Sequence, residues 1–291
     1  MSSMAGPGSV CSQESLAVEE PLTATASRAE HWLLVEYRGT WPRDPIDGGL
    51  PEPVRAHLGE QLASLGSAKL LYVRRPDARD RGPYRVFTAR STEGGASLRA
   101  FEVEAYEELL ELDLAAPAGH PVAGPLVLVC AHGKRDPCCA RFGPAAYEEL
   151  RRGPLGDGVW QSSHLGGHRF AANVVLLPDG LMFGRVTPSA AAALAARFGD
   201  REILLLHYRG RCSYPPAAQA AERALREREG LLGIDDIELA GAESDGEVTR
   251  VHLRIRSSGD VRELEVGEEE GPALPLSCGD PPEPTRRLEV G

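Results

Sequence analysis

Two stretches of this chain, residues 32–112 and 125–198, repeat one order of predicted elements, and no other feature narrows the possible architectures as much. In the first, residues 32–37 read as an apolar strand, 53–64 as a helix with Pro53 at its start, and 69–73 as a second strand. Residues 84–88 and 97–103 alternate as a strand pair, and 105–112 make a short helix. In the second stretch, residues 125–130 form a buried-type strand. Asp136 and Pro137 start a helix, as N-cap and first helical residue; it stops at Gly153 and Pro154, with Arg151 and Arg152 suiting the negative end of its dipole. Residues 158–163 form a strand, 173–177 and 181–186 flank the turn Pro178-Asp179-Gly180, and 189–198 is an alanine-rich helix. The Pro/Gly-rich segment 117–124 links the two.

That order resembles a thioredoxin-like unit used twice. The expected fold class is therefore α/β, with two thioredoxin-like units in tandem and a C-terminal appendage. The expected divisions are a flexible N-terminal tail at 1–27, a thioredoxin-like unit without metal ligands at 28–118, a second unit at 119–200, and a helix with antiparallel strands at 201–291. In the last, 216–229 reads as the helix and 237–239, 247–256 and 261–266 as strands, with the Pro-rich end beyond Asp280 loose. A length of 291 residues fits two domains of roughly 100–200 residues with an extension, and 42% apolar residues can fill their cores.

Charge and cysteine usage narrow the function. A net charge of −11 disfavours nucleic acid and anionic membranes as general partners. The first ten residues lack a secretory signal, and no run reaches the ~18 apolar residues of a membrane span, so the cytoplasm is the expected compartment. Thiols stay reduced there, and six cysteines are not read as a disulfide framework. Cys130, Cys138 and Cys139 fall within ten residues, which points to metal or redox chemistry.

Cys130 closes a predicted strand, and Cys138 and Cys139 lie in the first turn of the next helix. Unpaired N–H groups and the dipole favour thiolates there, and Lys134 and Arg135 add positive charge. Two histidines follow, His164 and His168. Gly166 and Gly167 between them each cost a helix about 1 kcal/mol, so a loop is expected; its glycines would let the backbone approach a bulky ligand. Two sulfurs and two nitrogens suit zinc or an iron–sulfur cluster. Structural zinc favours a shorter Cys spacing than the C-x7-C or C-x8-C present, which tilts the reading toward a cluster and leaves Cys138 or Cys139 as the second thiolate. The alternatives are buried packing cysteines or a vicinal thiol pair. No G-x-S-x-G, dinucleotide loop or phosphate loop occurs in the right context. Cys11, Cys212 and Cys278 are not expected to be ligands.

The segments Cys130-Ala-His-Gly-Lys-Arg-Asp136-Pro-Cys-Cys139, His164-Leu-Gly-Gly-His168 and Gly184-Arg-Val-Thr-Pro188 resemble the sucraseferredoxin-like family, a branch of the thioredoxin-like ferredoxins. The resemblance covers most of residues 11–230. It implies a [2Fe–2S] cluster with Cys130, Cys139, His164 and His168 as metal ligands. Cys138 does not match a ligand position, although its adjacency keeps it open as a substitute. The cysteines would hold the inner iron and the histidines the more exposed one, as in Rieske-type sites on an unrelated fold. The expected function is electron transfer, with proton coupling through the histidines, to an unidentified redox partner protein. An electron carrier is favoured over an enzyme with its own substrate. A thiol–disulfide oxidoreductase using Cys138 and Cys139 is the runner-up, and a zinc-stabilised binding module the third class. Glycoside hydrolysis has no nominated carboxylate pair. Nothing in the sequence indicates the oligomeric state.

Overall fold

A computed structural model describes residues 10–76, 82–116 and 118–291. It contains one large mixed sheet and one smaller antiparallel sheet. The first half supplies β1 (His31–Glu36), α2 (Glu52–Ser64), β2 (Ala68–Arg74), β3 (Tyr84–Arg90) and β4 (Ser97–Val103), after a short α1 (Cys11–Ala17) and before a two-residue β5 (His120–Pro121). The second half supplies β6 (Leu126–Cys130), α3 (Pro137–Arg152), β7 (Val159–Ser162), β8 (Val174–Leu177), β9 (Leu181–Phe183), α4 (Pro188–Gly199) and β10 (Tyr208–Arg211). Residues 105–112 hold a 3-10 turn, Tyr106–Glu111, in place of the expected short α-helix.

The repeat read from the sequence has a topological counterpart. β1 runs parallel to β2 and antiparallel to β3, which pairs β4; β6 runs parallel to β7 and antiparallel to β8, which pairs β9. The two sets are joined edge to edge where β2 meets β7, through Val73 opposite Ser162 and Arg74 opposite Gln161. The result is one ten-stranded sheet, not two separate ones.

Period-two alternation then assigns the faces. Leu33 and Val35 pack on Val54 and Leu58 of α2. Val127 and Val129 pack under α3 and α4, against Tyr147, Leu150 and Leu194. The opposite faces meet each other: Trp32, Leu34, Val73 and Phe87 join Leu128, Cys130, Trp160 and Met182 in one buried cluster. Phe87 and Trp160 touch edge to face with ring centroids 5.4 Å apart, although β3 and β7 are three strands apart. In a flat sheet that separation would be about 14 Å. The sheet is therefore folded back on itself at the β2–β7 seam, with its two halves face to face and the helices outside.

After β10, α5 (Pro216–Glu229) lies on the second sheet, formed in sequence order by β11 (Ile237–Ser244), β12 (Val248–Ile255), β13 (Val261–Pro275) and β14 (Pro282–Val290). The end beyond Asp280 is not loose as expected: it pairs with β13 from Pro282 opposite Pro275 to Val290 opposite Val266. Its prolines are tolerated because β14 is an edge strand, where a missing N–H breaks no interior ladder. The described part of the expected N-terminal tail is also structured. Cys11, Ser15, Glu20, Leu22 and Ala26 are buried, and Glu20 binds Arg169 at 2.9 Å.

Glu222 on α5 ties the appendage to the large sheet. Its carboxylate accepts from Arg211 and Arg226 at 3.0 Å each and from the Tyr208 hydroxyl at 2.8 Å. Burial opposes its ionisation, but Arg211 and Arg226 hold the carboxyl below its usual value. Glu222→Ala leaves two buried guanidinium groups without a counter-charge and is expected to lower stability by about 3–5 kcal/mol, measured by denaturant unfolding. A change within ±0.5 kcal/mol would mean that water compensates the arginines.

Candidate metal centre

The site is built where β6 ends and α3 begins. Cys130 is the last residue of β6 and is fully buried. The chain turns through residues 131–136, and the Asp136 side chain caps α3 by accepting from the Cys138 N–H at 2.8 Å, with Pro137 opening the helix. Gly143 brings α3 close to the strand: a Cβ there would lie 2.0 Å from the Cys130 carbonyl oxygen. Cys138 and Cys139, successive on one helix and hence about 100° apart around its axis, point into different surroundings.

Cys139 faces Cys130. The two Sγ atoms and a ring nitrogen of His164 all lie within 4.8 Å of one another. Cys139 donates to Cys130, and this bond, aided by His164 and opposed by burial, drives the Cys130 thiol well below its usual range. The same bond and burial push Cys139 up.

His164 and His168 leave β7 on a loop, as the glycines indicated. The loop is pinned from outside: Lys69 donates to the Leu165 carbonyl at 3.2 Å, Arg209 to the Gly166 carbonyl at 3.0 Å, and Asn173 to the Gly167 carbonyl at 2.9 Å. Arg209, pushed down to about 9 by burial, also donates to Asn173 Oδ1 at 2.7 Å. Gly167 has φ +67° and an added Cβ would sit 2.3 Å from Arg209 Nη2; at Gly166 it would meet Ser27 Oγ. The glycines thus make room for Arg209 and Ser27, not for a ligand. Gly167→Ala is expected to cost more than the roughly 1–2 kcal/mol of left-handed backbone alone, because Arg209 must also move. A smaller loss in denaturant unfolding would mean that the loop yields freely.

The His168 ring lies 4.9 Å from that of His164. Its Nε2 is 2.8 Å from Ser277 Oγ and 3.7 Å from Asp136 Oδ2. Burial, opposed by Asp136, lowers its pKa and keeps the ring neutral, the form that binds metal. Nδ1 of both His164 and His168 is buried without a hydrogen-bond partner. Both ring nitrogens of the neighbouring His132 are likewise buried without a partner; orphaned imidazole nitrogens gathered beside two buried thiols fit a thiophilic metal group with mixed sulfur and nitrogen ligands.

Cys138 faces the other way, into a second group that sequence reasoning missed. Its Sγ lies 3.5 Å from Cys11 Sγ and 3.4 Å from Cys278 Sγ, with Asp136 alongside. Cys11 chiefly, with Ser12 and against burial, holds the Cys138 thiol down at about 6. Cys278 sits in the turn between β13 and β14, next to Ser277. Two residues of the first half also reach the 131–136 loop: Trp41 meets the His132 ring edge to face at 5.6 Å, and Asp44 pairs with Arg135 at 3.2 Å. Cys212 is buried in the interior between the half-sheets, its thiol raised to about 11 by burial, and belongs to neither group.

Residues 22–210 match the profile of the sucrase/ferredoxin-like family. The chain belongs to that family. Curated relatives include the protein "Altered inheritance of mitochondria protein 32" from Eremothecium gossypii, 30% identical over 110 residues, which cover 33% of this chain and 35% of that protein. The protein of that name from Candida glabrata is 30% identical over 98 residues, 29% of this chain and 31% of the relative. The one from Saccharomyces cerevisiae is 34% identical over 97 residues, 28% and 31% respectively. The chain thus spans about a third of the length of the curated relatives it matches. No solved structure gives a significant match. Among the described residues, no helix is long and apolar enough to cross a membrane.

Proposed function

We propose that this family member is an electron-transfer protein carrying a [2Fe–2S] cluster on Cys130, Cys139, His164 and His168. What supports the reading most is the convergence of two buried thiols and a ring nitrogen of His164 within 4.8 Å, beside a second histidine with an orphaned Nδ1. Such a cluster supplies one-electron redox chemistry. Cys130 and Cys139 hold it from the apolar interior, His164 and His168 from the loop. Ser277 Oγ engages Nε2 of His168 and holds the ring in place, with Nδ1 left without a protein partner. Proton coupling, on this reading, attaches to His164, the less buried ring.

The repeated strand order supports assigning a thioredoxin-like unit to each half, with the ligands in the second only. The expected redox partner would approach the His164 side, and a reducing compartment such as the cytoplasm would keep the six free cysteines reduced. The dithiol alternative has less support, because Cys138 and Cys139 face separate donor groups.

Protein purified anaerobically is expected to be red-brown and to contain about two irons and two acid-labile sulfides per chain. Colorimetric iron and sulfide assays check this. Absence of sulfide with zinc retained by Cys130 and Cys139 would replace the electron carrier by a zinc-stabilised module.

A further inference from the structure

We infer that Cys11, Cys138, Cys278 and Asp136 form a second metal site, a mononuclear thiolate-rich centre for a zinc-like divalent cation, sharing no ligand with the first. The geometry is that of a tetrahedral cage. The three sulfurs form a nearly equilateral triangle with edges of 3.5, 3.4 and 3.6 Å. Asp136 caps it, with Oδ1 3.3 Å from Cys278 Sγ and both carboxylate oxygens 3.9 Å from Cys11 Sγ. A tetrahedron with zinc–sulfur bonds of 2.3 Å has edges of about 3.8 Å, so a cation fits at its centre with small outward shifts. A disulfide would need about 2.05 Å between sulfurs, and a third thiol would then be left over.

The surroundings suit a charged thiolate centre better than three neutral thiols. Three thiolates and a carboxylate around a dication leave a net charge of −2, and the backbone supplies donors to spread it. Cys138 N–H and Cys278 N–H donate to the two Asp136 oxygens at 2.8 Å each, and Cys11 N–H points at Cys278 Sγ at 3.4 Å. Ser12 Oγ is 3.2 Å from Cys138 Sγ, placed to donate to a thiolate. The positive end of α3 faces the same point. On loading, each sulfur that is still protonated gives its proton to water as it bonds the cation, and nothing is oxidised or reduced.

The ligands come from three places far apart in the chain: α1, the head of α3, and the β13–β14 turn. A bound cation would staple the N-terminal segment and the C-terminal sheet onto α3. Through Ser277, next to Cys278 and bonded to His168, it would also fix one side of the first centre. Five of the six cysteines are thereby accounted for in two donor groups that meet at the Cys138–Cys139 peptide bond.

The test is elemental analysis of the full chain and of single variants, alongside the visible spectrum. The wild type is expected to hold about one zinc per chain, four-coordinate, besides any iron. Cys11→Ser and Cys278→Ser should each lose the zinc and keep the iron chromophore, whereas Cys130→Ser should lose the iron and keep the zinc. Metal-depleted Cys130→Ser, in which the first site lacks a thiolate, should on titration with Co2+ develop the intense d–d absorption of a tetrahedral three-thiolate site, reversed by Zn2+, and should not do so when Cys11→Ser is added to it. The zinc content of the wild type keeps the test valid if a variant folds poorly. Wild type that holds no zinc, with no such cobalt spectrum in Cys130→Ser, would overturn the second site without touching the first. Loss of iron and sulfide in Cys11→Ser and Cys278→Ser, with retention in Cys130→Ser, would overturn both assignments by moving the cluster to this position.

Discussion

Cys130→Ser and Cys139→Ser are expected to abolish the red-brown chromophore, while Cys138→Ser leaves it in place. Adjacency alone would make Cys138 and Cys139 interchangeable, but the helix separates them: Cys139 is packed with Cys130 in the interior, and Cys138 is packed with Cys11 and Ala171 outside it. To replace Cys139, Cys138 would have to cross the helix axis, which means unwinding the first turn of α3 and breaking its Asp136 cap. A lost cap alone costs roughly 0.5–2 kcal/mol. Serine keeps the size of the side chain, so folding is preserved while the soft ligand is lost. Visible absorption and iron content of the three variants, purified in parallel without oxygen, decide the matter. Loss of colour in Cys138→Ser with retention in Cys139→Ser would invert the ligand assignment.

The second large effect concerns the reduction potential. Two neutral imidazoles in place of two thiolates remove two negative charges from the cluster's surroundings, which favours the added electron. The midpoint is expected above the roughly −400 mV of all-cysteine plant-type ferredoxins. His164→Cys restores one negative charge and should lower it, provided that a cluster assembles. Optical redox titration of wild type and His164→Cys measures both values. A wild-type potential at or below that of the all-cysteine proteins, or one unmoved in the loaded variant, would contradict histidine ligation.

The parts of this protein legible in its sequence are those carried by neighbours in the chain. The β6–α3 start is written in eight residues, Cys130 to Pro137 supplying strand end, cap and helix opener, and the loop character of 163–168 follows from Gly166 and Gly167 alone. Cys11 and Cys278 were illegible because they meet only after 267 residues of chain have folded. β14 was misread because its prolines look like a frayed end until an edge position is known. The return fold of the large sheet leaves no distinct mark either: an apolar strand face has the same pattern whether it meets a helix or another sheet. Phe87 and Trp160 carry that contact, and neither is unusual for a strand.

That return fold gives the ligand-free half a part in the proposed electron transfer. Cys130, Cys139 and Leu165 lie in the same buried cluster as Trp32, Leu71 and Val73 of the first half. The first half thus lines the side behind the two thiolates with hydrocarbon. On the opposite side stand His164, partly open to solvent, and the loop that carries it. An electron placed on the cluster would have insulation on one side and a single terminal on the other. On the proposed reading, the first half would then act as a dielectric backing that sets the direction of discharge.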